Sequence, residues 1–318
     1  MKTTPILRRA LAALSLLAAA AVQAAGTVGT SFPAGFPVIE DASLQKPVIG
    51  FGAAGPVTRT PVIFLHGNND VPYAAGTCSP TNGKVQPLAQ ALADNGWSTS
   101  ELWGLGYQGD QCDLVAANGG DNTKRARIAH THQANVPDLR RFVAAVLAFT
   151  GAKQVDIVGH SMGGTLAREW MRQDNAHHLV RRLVAIDSPN HGIINCSGDP
   201  ANYYQLPAFG GFTPASELCQ EVGSPHTPFL QRLNGPGGSR ETMGPTKALV
   251  IRNADTSFVY FAVQDGWLFS PVPSVDIYGQ AVDFSRSASL QGAKQIDLTG
   301  QGAYDPVLGT AHLGILMS

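Results

Sequence analysis

The chain of 318 residues is 44% hydrophobic and 14% charged, and its 22 basic and 23 acidic side chains leave a formal net charge of −1. That balance excludes the basic footprint of a nucleic-acid binder and a polybasic arm for an anionic membrane. The apolar content is ample for one large core, and no repeat, charge block or long polar linker divides the chain.

Lys2, Arg8 and Arg9 precede an apolar run over 10–22, and Val22-Gln23-Ala24 fits a small-residue cleavage site. This is the pattern of a signal peptide over residues 1–24, too short in its apolar part to span a bilayer comfortably. Its removal takes away three basic residues and no acidic one, so the net charge falls from −1 to −4. No later apolar run has the length of a transmembrane helix. The expectation is a secreted protein, extracellular or periplasmic, with no integral membrane segment and with residues 25–318 as a single domain. The even set Cys78, Cys112, Cys196 and Cys219 fits an oxidising compartment. Local pairing, Cys78 with Cys112 and Cys196 with Cys219, is simplest, because each bond pins a Gly/Pro-rich loop.

Residues 25–55 show little pattern and are expected to wrap the surface. Pro61-Val62-Ile63-Phe64-Leu65 is a continuous apolar run, as in a strand covered on both faces. An amphipathic helix is predicted over 85–95 and a strand over 98–104. A long helix over 136–149 follows, with Leu139, Phe142, Val143, Val146 and Leu147 spaced at three and four and Gly151 closing it. Further strands are predicted over 154–158, 183–186, 248–251 and 295–298. Strand and helix alternating at these lengths mean an α/β fold, a mostly parallel sheet with helices on both faces. Residues 188–246 break the rhythm and are read as a cap over the functional edge, supplying apolar contacts to a substrate.

The chemistry centres on Gly159-His160-Ser161-Met162-Gly163, set between an apolar strand and the helix-forming run Thr165-Leu166-Ala167-Arg168-Glu169-Trp170-Met171. A serine at a sharp strand-to-helix turn has its hydroxyl lifted above the sheet edge, with a helix N-terminus behind it. Such a hydroxyl is a poor nucleophile until a base removes its proton. Of the histidines that follow Ser161, His312 comes after the last strand and is assigned as the base. His177 and His178 read as solvated, while His191 and His226 lie in or beside the cap. The orienting acid falls first to Asp265, in a tight turn before Trp267 and Leu268, then to Asp255, and last to Asp187 at the end of the preceding strand. Asp156 and Asp297, within strands, read as structural. The oxyanion donors are the backbone N–H groups of Met162, directly after the nucleophile, and of Asn68, beyond Gly67. His66 is assigned to support of that loop. His130 and His132 lack an evident third metal ligand, so no metal and no cofactor is expected.

Together these residues resemble the α/β-hydrolase superfamily, and within it the secreted bacterial lipases. Pro61 through Gly67 looks like their first core strand and oxyanion turn, Val155 through Gly164 like their nucleophile turn, and Ser188-Pro189-Asn190-His191-Gly192 like the start of their cap. The stretches His66-Gly67-Asn68-Asn69-Asp70 and Phe149-Thr150-Gly151 also resemble the single-domain extracellular polyhydroxyalkanoate depolymerases. The resemblance implies a serine ester hydrolase working through an acyl-enzyme on a lipid ester or a polyester. A binding protein on the same fold is the alternative of another class.

Overall fold

A computed structural model describes residues 26–42, 45–68, 70–74, 83–107, 130–193, 196, 214–253, 275–299, 312 and 315–316. The four-residue strand β2 (Val62–Leu65) is buried along its whole length, which is why its sequence shows no alternation. It lies between β3 (Leu102–Gly106) and β4 (Val155–His160), parallel to both. The sheet continues in parallel through β5 (Val180–Ile186), β6 (Lys247–Asn253) and β7 (Lys294–Leu298). At the other edge β1 (Ile49–Phe51) pairs antiparallel with β3, giving the order β1-β3-β2-β4-β5-β6-β7. This is the mostly parallel sheet of the α/β-hydrolase fold.

Helices cover both faces. α1 (Val85–Asp94) buries Val85, Ala89 and Ala93 against Phe51, Val62, Phe64 and Leu102. On the other face α2 (His132–Thr150) packs Leu139, Phe142, Val143 and Val146 beside α3 (Met162–Gln173). α2 starts four residues earlier than its apolar spacing predicts, because the Thr131 side chain accepts the N–H of Ala134 and caps it. It stops at Gly151, which takes the left-handed conformation at φ 71°.

Three sequence expectations change here. The strand predicted over 98–104 begins only at Leu102, because Ser98 and Glu101 form a reciprocal capping box around a 3₁₀ turn at Thr99–Glu101. Residues 25–55 do more than wrap the surface: they supply β1, and Phe32 and Phe36 stack at 4.8 Å over Phe142. In the region read as a cap, α4 (Glu217–Val222) and α5 (Pro228–Asn234) bury Leu218, Val222, Phe229 and Leu230 in the main core. The aromatic Phe229 therefore faces the protein; the remaining cap aromatics, Tyr203, Tyr204, Phe209 and Phe212, lie outside the described residues. Cys196 and Cys219 are bonded as expected, which ties α4 to the segment after β5. Cys78 and Cys112 lie outside the described residues.

Candidate active site

Ser161 is the hinge between β4 and α3, and its backbone sits at φ 52°, ψ −125°. A non-glycine residue there is strained, at a cost on the order of 1–3 kcal/mol, and persists only where the surroundings enforce it. The enforcement is visible on both sides. A Cβ on Gly159 would lie 2.5 Å from the backbone nitrogen of Gly164, and one on Gly163 would lie 2.7 Å from the carbonyl oxygens of Leu65 and His66. Only glycine lets the strand, the helix and the β2 loop close this tightly.

That β2 loop presses on the serine from above. A Cβ on Gly67 would stand 3.0 Å from Ser161 Cβ, so the chain leading into Asn68 passes directly beside the Ser161 side chain. His66 supports the loop as expected. It is fully buried, stacks flat on Tyr107 at 4.2 Å, and makes ring contacts to the carbonyls of Gly67 (2.7 Å) and Tyr107 (3.1 Å). Burial, only partly offset by those two carbonyls, lowers its pKa to about 4, so the ring is neutral at pH 7. Asn68 Oδ1 is held 2.6 Å from His130 Nδ1, a support that the sequence reading did not contain. The sequence set His130 and His132 side by side; the fold sends their rings to different partners.

His312 is buried, and its Nδ1 donates to Asp187 Oδ2 at 2.7 Å. The sequence reading ranked Asp187 below Asp265 and Asp255, both of which lie outside the described residues. Sheet register explains the position of Asp187. β4 and β5 are adjacent, with His160 opposite Ile186, and the Ser161 N–H donates to the Ile186 carbonyl at 2.8 Å. The residue after Ile186 is therefore placed beside Ser161. Asp187 leaves the strand at φ 45°, a left-handed conformation that aspartate tolerates better than most side chains. The signal available in the sequence was an aspartate ending the strand after the one that leads into Ser161. Behind His312, Ile315 and Leu316 bury against Ile186 and bring the end of the chain over the β4 and β5 ends.

Two further acids and bases surround this centre. Asp70 is buried, with Oδ1 accepting the N–H groups of Val71 (2.7 Å) and Gly83 (2.8 Å). Burial raises its pKa to about 6, against those two N–H groups and the charges of Lys84 and His312. His160 stacks on His312 with 4.6 Å between ring centres. Asp156 and Asp297 are structural as expected, paired with Arg181 and Arg252 respectively. Of the other histidines, His178 and His226 are exposed, and His191 is bound to Glu241 at 3.1 Å.

One buried network was not anticipated. His132 places Nδ1 2.7 Å from Glu221 of α4 and Nε2 2.7 Å from the hydroxyl of Thr165 in α3, which in turn donates to the Met162 carbonyl at 3.0 Å. Nothing in their spacing, 33 and 89 residues from His132, marks them as neighbours.

A seven-stranded, mostly parallel sheet with a strained serine turn at the end of its central strand defines an α/β-hydrolase. The model of the class 2 lipase family matches residues 59–243, more than half of the chain, and the protein belongs to that family. It is a hydrolase of the lipase and esterase kind. Among solved structures it is similar to the lipase BlEst2 of Bacillus licheniformis in its mature form, at 16% identity and TM-score 0.49 over 83% of this chain and 90% of that one. Aspergillus fumigatus lipase B aligns at 17% identity and TM-score 0.45, over 84% of this chain and 52% of its own. Carboxylesterase CesB of Bacillus subtilis aligns at 12% identity and TM-score 0.39, over 91% and 86%.

Proposed function

We propose that the protein is an exported serine carboxylic-ester hydrolase in which Ser161 is the nucleophile, His312 the base and Asp187 the acid. The observation that carries this reading is the buried 2.7 Å bond from His312 to an aspartate placed by register beside the strained serine. Ser161 Oγ attacks the ester carbonyl while His312 Nε2 takes its proton, and Asp187 holds the ring and stabilises the imidazolium. His312 returns that proton to the alcohol as it leaves. Water, deprotonated by the same ring, then attacks the acyl carbonyl, and the ring passes that proton to Ser161 Oγ as the acid leaves. The negative oxygen formed in both steps falls to the backbone N–H groups of Asn68 and Met162, aided by the positive end of α3.

Export is proposed from residues 1–24 and is supported by the Cys196–Cys219 bond. Among the described residues no helix is long and apolar enough to cross a membrane. For the substrate we take a lipid ester; the His66–Asp70 stretch supports polyester as the second reading through the resemblance stated above. The deciding experiment has two parts. A fluorophosphonate should label the wild type and fail on Ser161→Ala; labelling that survives the substitution would show that Ser161 is not the nucleophile. Clearing of emulsified triglyceride beside amorphous polyhydroxybutyrate particles then selects the substrate class, with clearing of only the polyester overturning the lipid reading.

A further inference from the structure

His160 is the residue before the nucleophile, and it touches the histidine assigned as the base in two ways. Its ring lies against the His312 ring, tilted by 37°, and its Nε2 is 2.9 Å from the backbone carbonyl oxygen of His312. A carbonyl only accepts, so the His160 proton sits on Nε2 and Nδ1 carries a bare lone pair. That Nδ1 is buried, has no hydrogen-bond partner among the described residues, and would be 3.1 Å from a Cβ on Gly67. Burial, reinforced by the His312 charge, holds the ring well below the ordinary histidine pKa, so it stays neutral. Among the described residues the other titratable groups around the pair are His66, itself neutral, Asp70 and Asp187.

We propose that His160 is a positioning residue for His312: its Nε2–H pins the backbone carbonyl of the base while its uncharged ring forms the wall on which the base stacks. The proposal rests on the serine-hydrolase reading and adds to it. Asp187 fixes the His312 ring through Nδ1, which sets its rotation but leaves the main chain to be held elsewhere. His160 supplies that hold from the residue covalently joined to Ser161, so nucleophile and base are registered to one rigid strand end. Neutrality matters because a charged ring 4.6 Å away would oppose the imidazolium that forms on His312 during the reaction. The accompanying cost is Nδ1, a buried acceptor without a donor among the described residues.

The variants separate donor from bulk. His160→Phe keeps a ring and loses the N–H; His160→Gln keeps an N–H donor of similar reach. On a soluble p-nitrophenyl ester, His160→Phe should lower kcat by about 10–100-fold, the scale of a misplaced catalytic group, with KM nearly unchanged. His160→Gln should recover most of that loss, and the rate of fluorophosphonate labelling should follow kcat. Wild-type kcat in a folded His160→Phe would overturn the proposal. A second reading needs no variant: in wild-type protein, nitrogen-15 NMR should find His160 as the Nε2–H tautomer, untitrated between about pH 5 and 8. An Nδ1–H tautomer or a titrating His160 would overturn it equally. Turnover that persists in Ser161→Ala would instead defeat the parent reading, and the tautomer assignment would stand apart from it.

Discussion

Two buried histidines in this molecule each hold a carboxylate at 2.7 Å, and their surroundings differ in kind. His132, on the α2 and α3 side, engages Glu221 with one ring nitrogen and Thr165 with the other, and Thr165 passes its own hydrogen on to a helix carbonyl. The backbone N–H of His132 also reaches Glu221, at 2.8 Å, and Phe229 covers the ring at 4.5 Å. Around His312 the surroundings differ among the described residues. Asp187 Oδ1, His160 Nδ1 and Asp70 Oδ2 are all buried without a hydrogen-bond partner among the described residues. Each such atom costs roughly 1–3 kcal/mol, and Ser161 adds backbone strain. The His–carboxylate pair and its nearby hydroxyl are thus poor guides to chemistry when taken alone. A closed network clamps α4 to the core; an open, strained one is where a protein of marginal stability gives up energy for function.

The sharpest way to break this contrast is to delete one hydroxyl or base from each side. Ser161→Ala and His312→Ala should each lower ester turnover on the order of 10³-fold or more, and the double variant should be scarcely worse, because the two act as one unit. Thr165→Val, measured on the same ester, should leave turnover within a few-fold. Equal losses would make the two networks one machine.

The acids give the next largest difference. Asp187→Asn preserves shape but cannot stabilise an imidazolium, so turnover should fall by about 10²–10⁴-fold, with Asp255→Asn and Asp265→Asn costing far less. A larger loss in either of the latter, in protein checked by thermal melt, would move the acid out of the strand end. Glu221→Ala should show the opposite profile: a stability loss of about 1–3 kcal/mol in urea unfolding, with kcat/KM changed little.

Breaking the other tie on α4 extends the same test. Replacing Cys196 and Cys219 by serine should lower unfolding stability by about 2–4 kcal/mol. Because α4 is held by both the disulfide and Glu221, the combined variant should lose more than the sum of the parts if the two brace one segment.

The smallest effect concerns Asp70 and depends on pH. Its folded pKa of about 6 stands above the ordinary 3.8, so its favourable contribution is complete below 3.8 and is lost as pH rises through 6. The stability of Asp70→Asn relative to wild type should therefore improve between pH 4 and pH 7, by at most about 3 kcal/mol. A pH-independent difference would mean that Asp70 titrates normally.

How much was legible in the sequence follows from how each feature is encoded. Local patterns gave the strands at 62–65, 155–160, 247–253 and 294–298 closely enough to place the sheet, and Gly151 marked the end of α2 as read. The serine turn was legible because it needs small residues at fixed offsets, a requirement that sequence records directly. The start of β3 was missed because a capping box at Ser98 and Glu101 competes with an extended chain. Phe229 and Leu230, within the stretch 188–246, were not separable from substrate contacts by sequence, because an apolar residue in an irregular region serves a core or a substrate equally well by composition.

Sequence by itself determined the α/β architecture, the strained Ser161 turn and the glycine at 67. Each of these rests on short-range rules: backbone geometry, hydrophobic period and chain order. Only the tertiary structure decided which carboxylate meets His312, because that pairing spans 125 residues and is set by the register of β4 against β5. It also decided that His160 reaches the His312 carbonyl across 152 residues and that His132 belongs to α4. Long-range hydrogen bonds leave no periodicity in a chain; they exist only once packing has brought their donors and acceptors together.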